Sequence, residues 1–435
     1  QSLFASVEVG WKQMLYLTVT GRNDWASQLA NSPSSSFFYP SVGLSWVPTS
    51  TWDLGEALSY LKIRGSIASV GMPFPRHLTI PTYEYDATNR VWKDKTHYPI
   101  GDLKPERTTT YEVGLDARLW QRISLSASWY QADTKNQTFD PSLPPSSSYT
   151  TIYLQTGHVR NTGVELSAGY DNQWRDFRWA TNFTYSWNRN EIIELAANAV
   201  NPVTGEPLNL NKLDIKGLGK AKYILKEGGT LGDLYTTSDL RFNDNGYIEV
   251  DKNGNLLLTD EGDDIYLGSV FPDHNLAWRN DFSWKGINLG VLFTARIGGI
   301  CYSATQANMD LYGVSEASAA ARDAGGVWIN GRELVDAQKW YQAIGSQSGL
   351  PQYYTYSATN IRLQELSLGY TLPAKWFRDK MRMTVSFVGR NLWMIYCKAP
   401  FDPEAVASTG LNYQGIDYFM MPSLRSLGFN VKFQF

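Results

Sequence analysis

The last nine residues of the chain alternate without a break between apolar and polar or small side chains. Successive side chains of a β-strand point to opposite faces, so this segment predicts a strand with one dry face and one wet face. The alternative is the edge strand of a soluble sandwich, but such edges are usually short, charged or covered. The apolar members of the segment are Leu427, Phe429, Val431, Phe433 and Phe435.

Segments with the same alternation recur along the chain, and about 13 of them can be counted. Val113 and Leu115, for example, lie on the dry face of one segment, while Glu112 and Asp116 lie on its opposite face. A soluble core excludes such charged faces, whereas the water-filled lumen of a barrel accepts them. The predicted strands are 3–11, 14–24, 38–47, 58–70, 109–119, 122–133, 162–170, 177–188, 274–284, 286–298, 360–371, 381–392 and 424–435.

The composition favours strands over helices as the elements that cross a membrane. The mean hydropathy is −0.33 and the sequence has no long uncharged apolar run, which excludes a helical span. A spanning strand needs only about 9–11 residues, of which half face lipid. Aromatic residues make up 14% of the chain, which suits the girdles at membrane interfaces. The net charge of −3, without a basic stripe, argues against nucleic acid as a partner.

The connections between the predicted strands are either short turns or long loops. Every long loop falls on the side opposite the C-terminus, which is typical of outer-membrane barrels with short periplasmic turns and long extracellular loops. The sequence therefore predicts an all-β fold, namely a transmembrane antiparallel β-barrel whose long loops face the cell exterior. The predicted long loops are 71–108, 134–161, 189–273, 299–359 and 393–423.

The predicted strands do not complete such a barrel. A single-chain bacterial barrel normally closes with an even number of strands, and about 13 is odd. The sequence also begins at Gln1 without an initiator Met, a basic segment or an apolar leader. We therefore expect residues 1–435 to be the C-terminal part of a larger barrel, and we expect residues 3–11 to pair with a strand outside this sequence.

Two helices and a hairpin are predicted inside the long loops. Ser315 precedes an alanine-rich run and has the character of a helix N-cap, and residues 332–345 have the pattern of a helix that ends at a glycine. The dipeptide Asn253-Gly254 lies between two apolar-rich arms, which predicts a hairpin.

Two further local features concern the strand ends and one strand interior. The alternation slips by one residue at Gln364 and Glu365, which predicts a β-bulge. Cys301 and Cys397 each follow the same end of a predicted strand, so a bridge between two loops and a pair of free thiols both remain open.

The sequence carries no catalytic motif. The four histidines are scattered without the spacing of a zinc hydrolase, and no phosphate-binding glycine loop or G-x-S-x-G nucleophile motif is present. Carboxylate pairs on a barrel wall more often line the lumen than act as general acids. We therefore do not expect an enzyme.

Aromatic residues in the loop 299–359 are the candidate substrate-binding residues. Flat rings with polar rims suit stacking on sugars or grasping of peptides at the mouth of a pore. They suit equally the packed core of the loop itself. The six residues are Trp328, Trp340, Tyr341, Tyr353, Tyr354 and Tyr356.

Asp251, Asn253 and Asn255 offer oxygen atoms at the alternate spacing of a calcium loop. However, Leu256 stands where such a loop needs glycine, and Gly262 stands where it needs a bidentate acid. A hairpin with a solvated acidic flank is the alternative, so no cofactor is expected unless calcium binds here. The acidic residues that follow are Asp260, Glu261, Asp263 and Asp264.

Eight short motifs occur in order along essentially the whole chain. They are Gly21-Arg-Asn-Asp-Trp25, Phe37-Phe-Tyr-Pro-Ser-Val-Gly-Leu-Ser-Trp46, Leu103-Lys-Pro-Glu-Arg-Thr-Thr-Thr-Tyr-Glu-Val-Gly-Leu-Asp116, Asn161-Thr-Gly-Val-Glu165, Asp251-Lys-Asn-Gly-Asn255, Leu267-Gly268, Leu366-Ser-Leu-Gly-Tyr-Thr-Leu-Pro373 and Gly389-Arg-Asn-Leu392. Each motif alone is weak, but the set is specific, and it resembles that of the SusC/RagA-type TonB-dependent outer-membrane transporters of Bacteroidota. The set includes no catalytic residue.

The resemblance implies a barrel of about 22 strands with a plugged lumen, of which this chain supplies the C-terminal part. It also implies a SusD-like surface lipoprotein over the extracellular loops and energy supplied through TonB by way of the absent N-terminal region. The expected function is active import of a large nutrient, an oligosaccharide or a peptide, across the outer membrane of a Gram-negative bacterium. A passive porin and a structural or adhesive barrel are the alternatives.

Overall fold

The structure, a computed structural model, describes residues 1–79, 83–94, 97–98, 103–139, 151–195, 210, 212–259, 262–410 and 413–435. Its main feature is a continuous antiparallel sheet of 13 strands in which each strand pairs with its neighbours in chain order. We call this sheet the wall. Its strands are β1 (Ser2–Trp11), β2 (Leu15–Trp25), β3 (Ser36–Trp46), β4 (Leu58–Met72), β5 (Glu106–Leu119), β6 (Ile123–Phe139), β7 (Leu154–Trp174), β8 (Phe177–Glu194), β9 (His274–Trp284), β10 (Ile287–Ile297), β11 (Asn360–Thr371), β12 (Arg382–Cys397) and β13 (Ser426–Gln434).

All of the predicted strands are confirmed, because each corresponds to one strand of the wall. The largest difference is in length, since β7 extends well beyond the predicted 162–170. Its polar loop end continues to pair with β6 where the apolar alternation has already stopped. The predicted bulge is also confirmed: Leu363 pairs with Phe293 and Glu365 pairs with Leu292, so that Gln364 has no partner on β10.

The two ends of the wall differ as the sequence predicts. At one end the strands are joined by tight turns such as Trp120-Gln121, whose residues have φ values of 48° and 56°. Two successive residues in the left-handed region form a turn whose twist matches that of the flanking strands. At the opposite end, which we call the loop end, the chain forms its long connections.

The wall has two free edges within the described residues. β1 forms a ladder only with β2, and β13 forms one only with β12. Every residue of both edge strands is exposed. The described sheet is therefore open, and β1 does not pair with β13.

A compact subdomain, which we call the cap, is formed at the loop end by the described parts of 195–273, 298–359 and 398–425. It contains small sheets and three helices, α1 (Ala304–Leu311), α2 (Glu316–Asp323) and α3 (Ala337–Ile344). Its strands are Lys212–Leu218, Ala221–Lys226, Asp233–Thr236, Ile265–Ser269, Ile300–Ser303, Val327–Ile329, Glu333–Val335, Thr355–Ser357 and Ile416–Asp417, with a 3-10 helix at Pro351–Tyr354.

The remaining short elements lie in other connections. The described part of the loop before β5 contains a hairpin, and a further short strand of that loop pairs in parallel with a strand in the loop before β7. These strands are Tyr83–Asp86, Val91–Asp94, His97–Tyr98 and Thr151–Ile152, and the 3-10 helices are Ser27–Leu29, Pro48–Ser50 and Ala374–Phe377. No helix in the part of the chain that the structure describes is both long and apolar enough to cross a bilayer.

The helix predictions for the cap are partly confirmed. α2 begins after Ser315, whose hydroxyl accepts a hydrogen bond from the backbone N–H of Ser318, as an N-cap residue does. The prediction of a helix from residue 332 was wrong at its start. Glu333–Val335 is a strand, and Asp336 caps α3 five residues later than expected.

The predicted hairpin at Asn253-Gly254 is confirmed, since Val250 and Leu256 form a bridge on either side of the turn. Both cysteines are free, so the disulfide alternative is wrong. Cys301 is buried in the cap, and burial raises the pKa of its thiol to about 12.

Candidate functional site

The cap is built around an apolar core to which several separate loops contribute. Tyr302, Tyr354 and Ile416 lie in this core together with Leu234 and Ile192. Short strands and helices that lack a continuous apolar face can be stable here. Each of them buries its apolar side chains against the other elements of the cap. The cap therefore presents a fixed surface at the mouth of the wall.

The structure separates the six candidate aromatic residues into two groups. Tyr354 is only 2% exposed and lies in the cap core, and Tyr341 packs against that core. Burial raises the pKa values of both phenols. Tyr356 is half-buried, and its hydroxyl donates a hydrogen bond of 2.7 Å to Oε1 of Gln306. These three rings therefore support the cap, as in the packed-core interpretation.

Of the remaining candidates, Trp328 and Tyr353 have accessible rings, while Trp340 is partly buried against the cap core. Trp328 is 66% exposed on the short hairpin Val327–Val335 and is the most open of the six. Tyr353 is 37% exposed, and its ring meets that of Trp340 edge-on with centroids 6.1 Å apart. The cap surface thus carries one isolated indole and one aromatic pair.

The candidate calcium turn is held by hydrogen bonds. The carboxylate of Asp251 accepts bonds of 2.8 Å from the backbone N–H groups of Asn253 and Asn255 and from the Asn255 amide. The bonds from Asn255 hold the pKa of Asp251 below its usual value. The ammonium group of Lys339, on α3, donates to the carbonyl of Asn253. These contacts hold the turn in the described conformation.

One member of the acidic flank, Asp264, is paired with lysines elsewhere in the cap. Asp264 forms ion pairs of 3.0 Å with Lys212 and Lys226, while Asp260 and Glu261 lie outside the described residues. Among the residues that the structure describes, no three His, Cys, Asp or Glu side chains are grouped so that they could hold a metal ion.

The polar face of the wall carries clusters of ion pairs. Arg64 lies 3.0 Å from Glu112 and 3.8 Å from Asp116, on the face predicted to line the lumen. Ser126 donates a 2.7 Å hydrogen bond to the same Asp116. Cross-strand pairs of this kind keep a charged, hydrated surface ordered.

A second cluster on the same face involves three strands. Glu365 accepts contacts from Arg279 at 3.3 Å and from Arg390 at 3.1 Å, and Arg279 also binds Asp281 at 2.8 Å. Alternation predicts the face on which these residues lie but not that Glu365 meets Arg279 and Arg390, because these three residues lie on different strands.

The cap is fixed to the wall by a buried arginine that the sequence analysis missed. The side chain of Arg362, on β11, is 4% exposed and binds both carboxylate oxygens of Asp402 at 3.0 and 2.6 Å. Its Nε atom donates to Asn360 at 2.8 Å, and Glu404 lies 3.3 Å from the guanidinium. The partners are forty residues apart, and no local pattern links them.

The model of the family described as "TonB dependent receptor-like, beta-barrel" matches residues 1–298. TonB-dependent receptor P3 of Formosa agariphila is 25% identical over 99% of this chain and 45% of its own length. TonB-dependent receptor SusC of Bacteroides thetaiotaomicron is 22% identical over 86% of this chain and 38% of its own length.

Among solved structures, the RagAB peptide transporter matches 99% of this chain and 47% of its own chain, with a TM-score of 0.71 and 20% sequence identity. That likeness supports the fold. The chain spans less than half the length of each of these relatives.

Proposed function

The chain belongs to the TonB-dependent receptor-like β-barrel family, and we propose that it forms the C-terminal wall and the extracellular cap of an active nutrient importer. It is an outer-membrane β-barrel protein of the SusC/RagA type. The observation that carries the proposal is the combination of an ion-paired inner wall with a folded cap at its extracellular end.

We infer that strands from an earlier part of the protein complete the barrel. The exposed edge of β1 offers a full row of backbone donors and acceptors, and an unpaired edge of this length is unstable in lipid. The curated relatives that match this chain are more than twice its length, which leaves room for those strands and for a plug.

Active transport requires an energy source outside this sequence. The chain carries no nucleotide-binding motif, and the inner wall consists of structural ion pairs. We propose that a plug in the missing region is pulled through TonB, as the family name indicates, so that the lumen opens along the polar face of the wall.

The cap is the proposed docking surface for a SusD-like lipoprotein and for the substrate. Support comes from its fixed core and from aromatic rings left open on its surface. Exposed Trp and Tyr are the residue types that supply most binding energy at interfaces and on sugars. The substrate is a large nutrient, either an oligosaccharide or a peptide.

Uptake by cells that produce the whole protein tests this function. Labelled oligosaccharides and labelled peptides are offered separately, with and without a protonophore. We expect uptake of one class, and we expect the protonophore to abolish it because the energy is coupled to the inner membrane. Uptake that persists with the protonophore would identify a passive porin. Surface adhesion without any uptake would identify an adhesive barrel.

Trp328→Ala tests the cap surface. Loss of an exposed stacking ring at a binding hot spot costs about 2 kcal/mol, so we expect roughly a thirtyfold weaker capture of substrate or lipoprotein. Trp376→Ala is the matched control, since this exposed indole lies at the turn end of the wall. Calorimetry with the lipoprotein present measures the affinity. An equal effect of both substitutions would contradict the assignment.

A further inference from the structure

Basic side chains cluster at the loop end of three neighbouring strands of the wall. Arg107 lies on β5, Lys135 on β6, and His158 and Arg160 on β7. The ladders place Arg107 opposite Lys135, and Lys135 opposite His158. They border an open groove of about 680 Å³. We call these four residues the basic patch.

The basic patch is on the outer face of the barrel. The positions of Val113 and Leu115 differ from that of Arg107 by an even number. The ladder between β5 and β6 is regular from Arg107 to Leu119. Side chains an even number apart share a face, so Arg107 lies on the face of those apolar, lipid-facing residues. Lys135 shares its face with Trp129 in the same way.

Arg160 obeys the same rule on β7. Its ladder with β6 is regular from His158 to Tyr170, so Arg160 lies on the face of Val164 and Leu166. The basic patch therefore lies directly above the apolar belt, towards the extracellular loops. At that height the wall meets lipid headgroups and not hydrocarbon chains.

The patch carries an excess of positive charge. Among the described residues that line the groove, Asp133 is the one carboxylate, and it binds both His158 and Arg160 at 2.8 Å. Arg107 donates instead to the hydroxyl of Ser69 at 2.9 Å and to a backbone carbonyl. The side chain of Lys135 forms no hydrogen bond or ion pair with any residue that the structure describes.

The adjacent strand β8 places its carboxylates opposite the two residues on β7, with Glu194 opposite His158. Glu191 is the residue opposite Arg160 on β8, and it lies 3.5 Å from Arg189 on its own strand. Two cationic groups, those of Arg107 and Lys135, therefore lack a carboxylate partner among the described residues. A cation that lies above an apolar belt and lacks an acidic partner suits an anionic headgroup.

We propose that the basic patch binds the phosphate of a glycolipid in the outer leaflet of the outer membrane. The acyl chains would lie along the apolar belt below, and the phosphorylated sugar would occupy the groove. Arg107 and Lys135 would bind the phosphate, while Asp133 holds Arg160 and His158 in position beside it. The site lies on the outer surface, so it takes no part in transport through the lumen.

The test compares Arg107→Gln/Lys135→Gln with Lys12→Gln/Lys285→Gln in the purified whole protein. Both pairs remove two positive charges, but Lys12 and Lys285 lie at the turn end, each over a tryptophan ring. The probes are phosphorylated lipid A, dephosphorylated lipid A and inorganic phosphate, and native mass spectrometry measures the bound fraction. Heat-modifiable migration on a gel verifies that each variant is folded, and Lys135→Glu serves as a second variant.

We expect Arg107→Gln/Lys135→Gln to bind phosphorylated lipid A roughly thirtyfold more weakly. Each of the two basic residues supplies a similar part of the attraction to an anionic headgroup, and the double variant loses both parts. Lys135→Glu should also weaken the binding of phosphorylated lipid A. The turn-end control should bind like the unmodified protein, and dephosphorylated lipid A should bind weakly throughout. Equal affinity in all variants would overturn the proposal. Binding of inorganic phosphate without lipid A would also overturn it, because the groove would then be a site for a free anion.

Discussion

At the scale of single residues, the two faces of one strand pair have opposite requirements. Leu115 is 39% exposed on the outer face, whereas Ser126 on the neighbouring strand is held by Asp116 on the inner face. The same substitution therefore has different consequences on the two faces, because one faces hydrocarbon and the other faces water.

We expect Leu115→Arg to destabilise the folded whole protein by about 2–4 kcal/mol, as is typical for arginine near the bilayer midplane. Ser126→Arg should cost much less, because its guanidinium can reach Asp116 in a wet lumen. Urea titration of the protein folded into liposomes measures both. Val291→Arg should resemble Leu115→Arg, and equal costs at all three positions would show that the faces are assigned wrongly.

The contact between Arg362 and Asp402 predicts a pH dependence of the cap. Burial raises the pKa of Asp402, but hydrogen bonds from Arg362 and Ser423 outweigh it and lower the pKa below its usual value. A carboxylate with a lowered pKa stabilises the folded state fully above its unfolded pKa of about 3.9 and loses that contribution as the pH falls further.

We therefore expect acidification below about pH 4 to loosen the loop 398–425 from the wall. Limited digestion with pepsin, compared with digestion at neutral pH by another protease, measures the accessibility of this loop. Asp402→Asn should loosen the loop at neutral pH and should remove the further effect of acid. A loop that stays equally resistant at every pH would contradict the prediction.

At the scale of elements, α3 depends on its first residue. The carboxylate of Asp336 accepts hydrogen bonds from the backbone N–H groups of Gln338 at 2.9 Å and Lys339 at 3.1 Å. Asp336→Ala should destabilise the helix by about 1 kcal/mol, whereas Asp336→Asn should retain most of the N-cap stabilisation. Hydrogen exchange of the α3 amides measures the difference. Equal exchange in the two variants would show that tertiary packing alone holds the helix.

The wall strands were predictable because membrane and lumen impose a period of two on every one of them. Even the bulge at Gln364 was visible as a break in that period. The cap follows no such rule. Ala221–Lys226 is largely buried, so its side chains show no alternation, and α1 is short and polar, with small buried residues such as Ala304 and Ala307.

The candidate site was predictable in its residue types but not in its geometry. Nothing near Trp328 or Tyr354 in the sequence shows that the first ring is open and the second buried. That difference depends on which loops meet in the cap core. The same holds for Arg362 on β11, whose acidic partner lies in the loop after β12.

At the scale of the whole molecule, the open sheet makes the wall dependent on further strands. We expect residues 1–435 produced alone to give no heat-modifiable barrel, because the exposed edges of β1 and β13 do not pair with each other in the structure. Production together with the upstream part of the protein should restore the migration shift on a gel. A closed barrel formed by residues 1–435 alone would contradict this expectation.

The composition of the cap core has a consequence for the order of folding. Phe139, Ile192, Tyr302 and Ile416 lie in one core but come from chain segments far apart in the sequence. Contacts over such separations form slowly, because long loops must close before burial stabilises them. The wall brings those segments together first, so we expect the cap to mature last, and protease resistance at the cell surface would then report a correctly inserted barrel.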